Sequence, residues 1–279
     1  MKKFLLVYGK MLITTLTILV LTSIVVNIPS ENNLVTKVMF FLEKLLILVP
    51  VIVLYRLFEK NNWGLGMKQM NPLSNFSKGA LLGLISITIS LTISILSVKH
   101  MIVLHHINDQ LILSLIYFLV VSFLVSLSEE VLFRGYIQGL ASFYYNYKVG
   151  IVFSTIFFVA MHGLNNGITL FAFLELVLGG IFLGILRAKT NGLWFGIGFH
   201  FLWDFIQVGI FGLSLSEQKG ISLLSVTFLE DNILLTGGVW GPEASVITTF
   251  VLALLLLSII IRGFISEKND KLNKLKAAQ

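Results

Sequence analysis

Five chemistry-bearing residues and one arginine stand apart from an otherwise apolar chain. Ser128-Glu129-Glu130-Val131-Leu132-Phe133-Arg134 puts two adjacent carboxylates and a guanidinium at the end of the apolar run from Leu111 to Leu127. A charge at the bilayer centre costs roughly 2.5–3.5 kcal/mol on insertion scales. Three of them together need a reason. On a helix, Glu130 and Arg134 are spaced i,i+4, share a face and can pair. Glu129 is rotated by about 100° from Glu130, so it is the carboxylate left for another task. A buried ion pair with a spare acid at the membrane surface is the structural alternative. Further on, Phe158-x-x-x-His162 ends one apolar segment. His200 and Asp204, again i,i+4, share a face of another. That spacing suits two ligands of one metal or a histidine oriented by a carboxylate. His162 alone reads more readily as a core histidine with its hydrogen bonds satisfied.

Together the set offers two carboxylates and two imidazoles on three helices. A carboxylate in a low-dielectric pocket can take a proton from water. Imidazoles can share that water, hold a metal or face a developing oxyanion. Hydrolysis by an activated water is the reaction class that fits. Other membrane-protease signatures are missing: the sequence holds no Gly-x-Ser-x-Gly, Gly-x-Gly-Asp or His-Glu-x-x-His. Intramembrane acids and histidines also build transporter relays, which would give no reason for the ordered triple.

The elements that must carry these groups are membrane helices. Over 279 residues, 56% are hydrophobic and only 12% charged, and mean hydropathy is +0.92. The fold class this implies is all-α: a polytopic helix bundle of about eight spans, forming one integral membrane domain over residues 1–279. The expected spans are Phe4–Ile28, Val38–Phe58, Gly79–Val98, one opening at Leu111, Gly150–Met161, Ile168–Leu186, Leu193–Gly212 and about Ala244–Ile261. The basic start before Phe4 resembles a signal peptide, but no small-x-small cleavage site follows, so we read a retained first span. Turns are expected at 29–33 and 165–167, and loops over 99–110 and 213–243. Gly135 to Lys148, rich in tyrosine, reads as an interfacial helix or bend. Gly180 and Gly184 form a small-xxx-small pair for close helix approach.

Charge follows the same scheme. With eight spans and both termini cytoplasmic, Lys2, Lys3, Lys10, Arg56, Lys60, Lys68, Lys78, Lys148, Arg187, Lys189 and the tail from Arg262 lie inside. Only Lys37, Lys99 and Lys219 fall outside, as the positive-inside rule requires. The net charge of +6 therefore needs no nucleic acid. The absence of cysteine excludes disulfides, thiolate nucleophiles and Cys-ligated metals. His100, His105 and His106 read as solvated loop residues. Glu43 and Lys44 read as a pair near an interface, and the face of Glu175 is not legible.

In order along successive helices, Glu129-Glu130-x-x-x-Arg134, Phe158-x-x-x-His162 and His200-x-x-x-Asp204 resemble the three motifs of the CPBP family. These are the CAAX-type prenyl endopeptidases and bacteriocin-processing or immunity proteins, also called the Abi family. Arg134-Gly135-Tyr136, Thr190-Asn191-Gly192-Leu193-Trp194 and the Gly237-Gly238-x-x-Gly241-Pro242-Glu243 loop resemble it too. The likeness covers residues 111–211, the expected catalytic core. It implies an intramembrane endopeptidase of the cell membrane, acting on a membrane-associated or lipidated peptide, CAAX-like or bacteriocin-type. It also implies the alternative: a non-catalytic self-immunity or scaffold protein.

By the same resemblance, Glu129 and His162 would activate the water. Glu130 and Arg134 would pair to position the site, and His200 with residue 204 would stabilise the oxyanion. The family commonly has Asn where this chain has Asp204. An ionised Asp204 cannot donate, so it is protonated, orients His200 or ligates a metal. Were a divalent metal such as zinc used, Glu129, His162, His200 and Asp204 would be its ligands.

Overall fold

The computed structural model describes residues 2–26, 33–163, 168–213, 221–230 and 232–277. The chain is a helical bundle. Its long helices are α1 (Lys2–Val26), α2 (Asn33–Phe58), α3 (Pro72–Ser97), α4 (Asp109–Glu129), α6 (Tyr147–His162), α7 (Leu170–Thr190), α8 (Trp194–Phe205) and α10 (Val246–Ala277). The short α5 (Gln138–Tyr144) follows α4, and α9 (Ile233–Thr236) precedes α10. Each expected span overlaps one of these helices, but α8, at 12 residues, covers only part of Leu193–Gly212. Among the described residues, six stretches are long and apolar enough to cross a membrane, and α6 is a shorter apolar helix. Helices suit that setting because all their backbone bonds are made within the segment. The turns expected at 29–33 and 165–167, and Lys219, lie outside the described residues, apart from Asn33, which opens α2.

Helix starts follow capping chemistry. Asn108 accepts from Leu111 N at 2.9 Å to start α4. Asn146 accepts from Val149 N at 3.0 Å to start α6, and Thr169 from Ala172 N at 3.1 Å to start α7. Each oxygen satisfies an amide that the first helical turn leaves without a partner. The Asn146 cap also explains the tyrosine-rich stretch. The chain does not bend away at Gly135; it stays helical to Tyr144, breaks at Tyr145 and restarts.

Three features differ from the sequence reading. α3 begins at Pro72, before the expected Gly79, because proline suits a first helical turn. Residues 99–110 and 213–243 are not merely loops. Strand β1 (His100–Leu104) pairs antiparallel with β2 (Leu224–Phe228), with Ile102 opposite Val226. Met101-Ile102-Val103-Leu104 has strand-forming side chains, but its partner lies more than a hundred residues away. Finally, α4 does not run on as an α-helix. Glu130–Ile137 is π-helical, and all eight of its side chains are buried.

Glycine seams hold the bundle tight. A Cβ on Gly79 or Gly83 of α3 would come within 2.0 and 2.2 Å of the carbonyl oxygens of Phe195 and Phe199 on α8. One on Gly198 of α8 would reach 2.2 Å from Phe76 O on α3. Backbone therefore touches backbone along this pair, the most extensive helix contact among the described elements. The expected Gly180 and Gly184 pair makes room on α7 for side chains of α6, facing Thr155 and Ile151.

Candidate active site

The π-helical segment is the core of the site. A π turn inserts one extra residue into a helix, and such bulges are frequent at functional sites. Arg134 Nη1 donates to Glu130 Oε1 at 2.9 Å, with the two side chains 0% and 1% exposed. The pairing expected from i,i+4 spacing therefore forms, although the segment is not α-helical. Arg134 also stacks its guanidinium 4.4 Å from the ring centroid of Phe158, one turn before His162. Room for Glu130 comes from Gly196 on α8: a Cβ there would sit 2.9 Å from Glu130 Oε2.

Glu129, the last residue of α4, faces elsewhere. Its Oε2 lies 3.8 Å from His162 Nε2. That is too long for a direct hydrogen bond and suits a water touching both. His162 Nδ1 lies 2.9 Å from Phe158 O. A carbonyl only accepts, so Nδ1 carries the proton, and in the neutral ring Nε2 is an acceptor.

On the other side of the pair, His200 sits between two carboxylates. Its Nδ1 is 3.6 Å from Glu130 Oε1 and its Nε2 is 3.5 Å from Asp204 Oδ2. The six residues singled out from the sequence thus form one continuous array: His162 to Glu129, then Glu130 with Arg134, then His200 and Asp204.

The position of α8 is set from outside the array. α7 ends at Asn191 in the left-handed conformation, φ 49°, and Gly192 packs directly on Gln69. Leu193 N then donates to Gly66 O at 3.0 Å, and Trp194 Nε1 to Met67 O at 2.8 Å. The Thr190–Trp194 turn is therefore clamped by the loop before α3, and the clamp fixes where His200 and Asp204 project.

Three further residues reach the site. Lys44 pairs with Glu43 at 3.0 Å as expected, yet it also lies within electrostatic range of Glu129 and Asp204. Glu175 faces inward, within range of His200, Asp204 and Arg134. Glu243, named from the sequence only as the end of the Gly237–Glu243 loop and given no role, accepts from Trp203 Nε1 at 2.7 Å. Burial, with Glu175 and Asp204 nearby, raises its carboxyl well above the ordinary value. Its signal in the sequence was a lone acid closing the Gly237–Glu243 loop just before the last apolar run. His100 and His105 sit on or beside the β1–β2 ribbon, where His105 Nε2 lies 2.8 Å from Ser225 Oγ.

A metal needs its donors to converge on one point. Among the described residues no group of three or more His, Asp or Glu side chains does so. The candidate donors meet two at a time.

Residues 111–206 match the model of a family described as type II CAAX prenyl endopeptidase Rce1-like. The segment resembles that family. It begins with α4 and ends with α8, and it contains Glu129, Glu130, Arg134, His162, His200 and Asp204. No curated protein matches the chain. The Rce1-like match supports a CAAX-type intramembrane endopeptidase in general terms, and the six long apolar helices make the chain an integral membrane protein.

Proposed function

We propose that this chain hydrolyses a peptide bond of a membrane-associated or lipidated protein, CAAX-like or bacteriocin-type, in the cell membrane. The nucleophile is a water held by Glu129 and His162. The observation that carries the reading is the 3.8 Å gap between Glu129 Oε2 and His162 Nε2, with the histidine tautomer set by Phe158 O. Water in that gap donates one hydrogen to each acceptor. Glu129 takes a proton as the oxygen attacks the scissile carbonyl carbon. The carbonyl oxygen becomes the oxyanion, and His200, placed between Glu130 and Asp204, supplies positive charge to it. Glu129 then returns its proton to the leaving amine, and the C–N bond breaks.

Asp204 acts here by orienting His200, the role its 3.5 Å approach to Nε2 supports. Glu130 and Arg134 position the turn and take no proton. No step runs through a metal. The test is cleavage of a CAAX-type peptide by protein reconstituted in liposomes, comparing the parent with Glu129→Gln and His162→Ala. General-base removal is worth about 10²–10⁴-fold, and we expect each variant to lose at least a hundredfold. Unchanged cleavage by Glu129→Gln would overturn the mechanism. Protection from a bacteriocin that survives Glu129→Gln in cells would favour the non-catalytic immunity reading.

A further inference from the structure

A cavity of about 720 Å³ lies beside Arg134. It runs between α5, α6, α7 and α10 and is not lined by Glu129, His162 or His200. Among the described residues its lining carries three cations, Arg134, Arg187 and Lys189, and no acid. Glu130 neutralises Arg134; Lys189 Nζ donates to Ile259 O at 3.0 Å, and neither Arg187 nor Lys189 faces a carboxylate among the described lining residues.

The polar atoms at its inner end are incompletely bonded. Arg134 is fully buried, and its Nε and Nη2 have no hydrogen-bond partner. Arg187 donates Nη2 to Gly64 O at 3.2 Å, but its buried Nε has none. Gln138, 3% exposed, donates Nε2 to Gly184 O at 2.8 Å and leaves Oε1 unpartnered. Orphaned buried donors of this kind are costly unless something accepts from them. Three guanidinium nitrogens on two arginines are complementary to oxyanion oxygens. Gln138 Oε1 adds an acceptor for a hydroxyl. Around the mouth stand the exposed apolar side chains Phe143, Tyr147 and Ile260, on apolar helices where acyl chains lie.

We propose that this cavity binds an anionic phospholipid. Its headgroup phosphate sits between Arg187 and Lys189 and reaches the free nitrogens of Arg134, and its acyl chains leave past Phe143, Tyr147 and Ile260. Basic pockets between membrane helices recognise anionic headgroups in this way. The apolar mouth and the hydroxyl acceptor favour a lipid over a free phosphate. Bound there, the lipid completes the hydrogen bonding of the arginine that holds Glu130. Binding is independent of the peptidase reading, because it is measured without turnover.

The experiment is thermal unfolding of the purified full chain in neutral detergent, titrated with short-chain phosphatidylglycerol, short-chain phosphatidylcholine or inorganic phosphate. Phosphatidylglycerol alone should raise the unfolding temperature saturably. Each basic side chain near an anionic headgroup contributes about fivefold in affinity, so Arg187→Gln/Lys189→Gln should weaken half-saturation by roughly thirtyfold. Should that variant fail to fold, Ile260→Trp, which fills the mouth and keeps the cations, should lose the shift instead. Equal stabilisation by phosphatidylcholine or by inorganic phosphate overturns the proposal. So does a variant that titrates like the parent, or a saturable shift given only by a peptide with a free C-terminal carboxylate.

Discussion

Arg134→Met separates the positioning pair from the chemistry. Arg134 and Glu130 are almost fully enclosed and meet at 2.9 Å. With the guanidinium gone, the next cation facing Glu130 is His200, whose Nδ1 is 3.6 Å away, beyond hydrogen-bond distance. The carboxylate is then buried without a matched partner. Breaking a buried pair from one side costs about 3–5 kcal/mol, whereas replacing both members by apolar groups is often neutral. Arg134→Met should therefore destabilise by about 3–5 kcal/mol, and Glu130→Leu/Arg134→Met should recover most of that loss while remaining inactive. Equilibrium unfolding in mixed micelles reads the stability, and peptide cleavage in liposomes reads the activity. By contrast, Glu129→Gln should abolish cleavage with the fold intact. A loss below about 1 kcal/mol for Arg134→Met, the range of an exposed pair, would refute the reasoning. So would a double variant no more stable than the single.

Gly198→Ala should destabilise by about 1–3 kcal/mol or more by overpacking, because its Cβ would lie 2.2 Å from Phe76 O; thermal unfolding reads this, and a neutral result would contradict the backbone-on-backbone seam. Glu243 gives a pH prediction. Its carboxyl is raised in the fold above the ordinary 4.5, so the folded state holds the proton more tightly than the unfolded one. The stability this group contributes is full below pH 4.5 and is lost as pH rises towards the folded value. Glu243→Gln, which stays neutral and can still accept from Trp203, should flatten the decline between pH 5 and 8; parallel slopes would refute this. Chelation with EDTA should leave liposome cleavage within about twofold of the untreated protein, since no three donors converge among the described residues; loss restored by zinc would reverse that expectation.

Much of the site was legible because charge in an apolar chain is expensive. Glu129, Glu130, Arg134, His162, His200 and Asp204 stood out for that reason, and helix spacing alone paired Glu130 with Arg134. The π turn was not legible, since Val131-Leu132-Phe133 fits an α-helix equally well and the extra residue is imposed by packing around it. The β1–β2 pairing joins segments far apart in sequence, and no local propensity names a distant partner. Glu243 was hidden by its neighbours: a carboxylate in a Gly-Gly-Val-Trp-Gly-Pro loop looks solvated until Trp203 is seen to donate to it. Conversely, the Gly180 and Gly184 contact was readable from spacing. The α3–α8 seam was not, because its glycines are split between two helices.

That seam bears on how a substrate arrives. Side chains between two helices can rotate and let the helices slide, but backbone lodged against backbone leaves no such freedom. α3 and α8 therefore move as one slab, carrying His200 and Asp204 with them. Any opening wide enough to admit a peptide falls to the elements around that slab. A disulfide engineered across the seam should leave turnover unaffected.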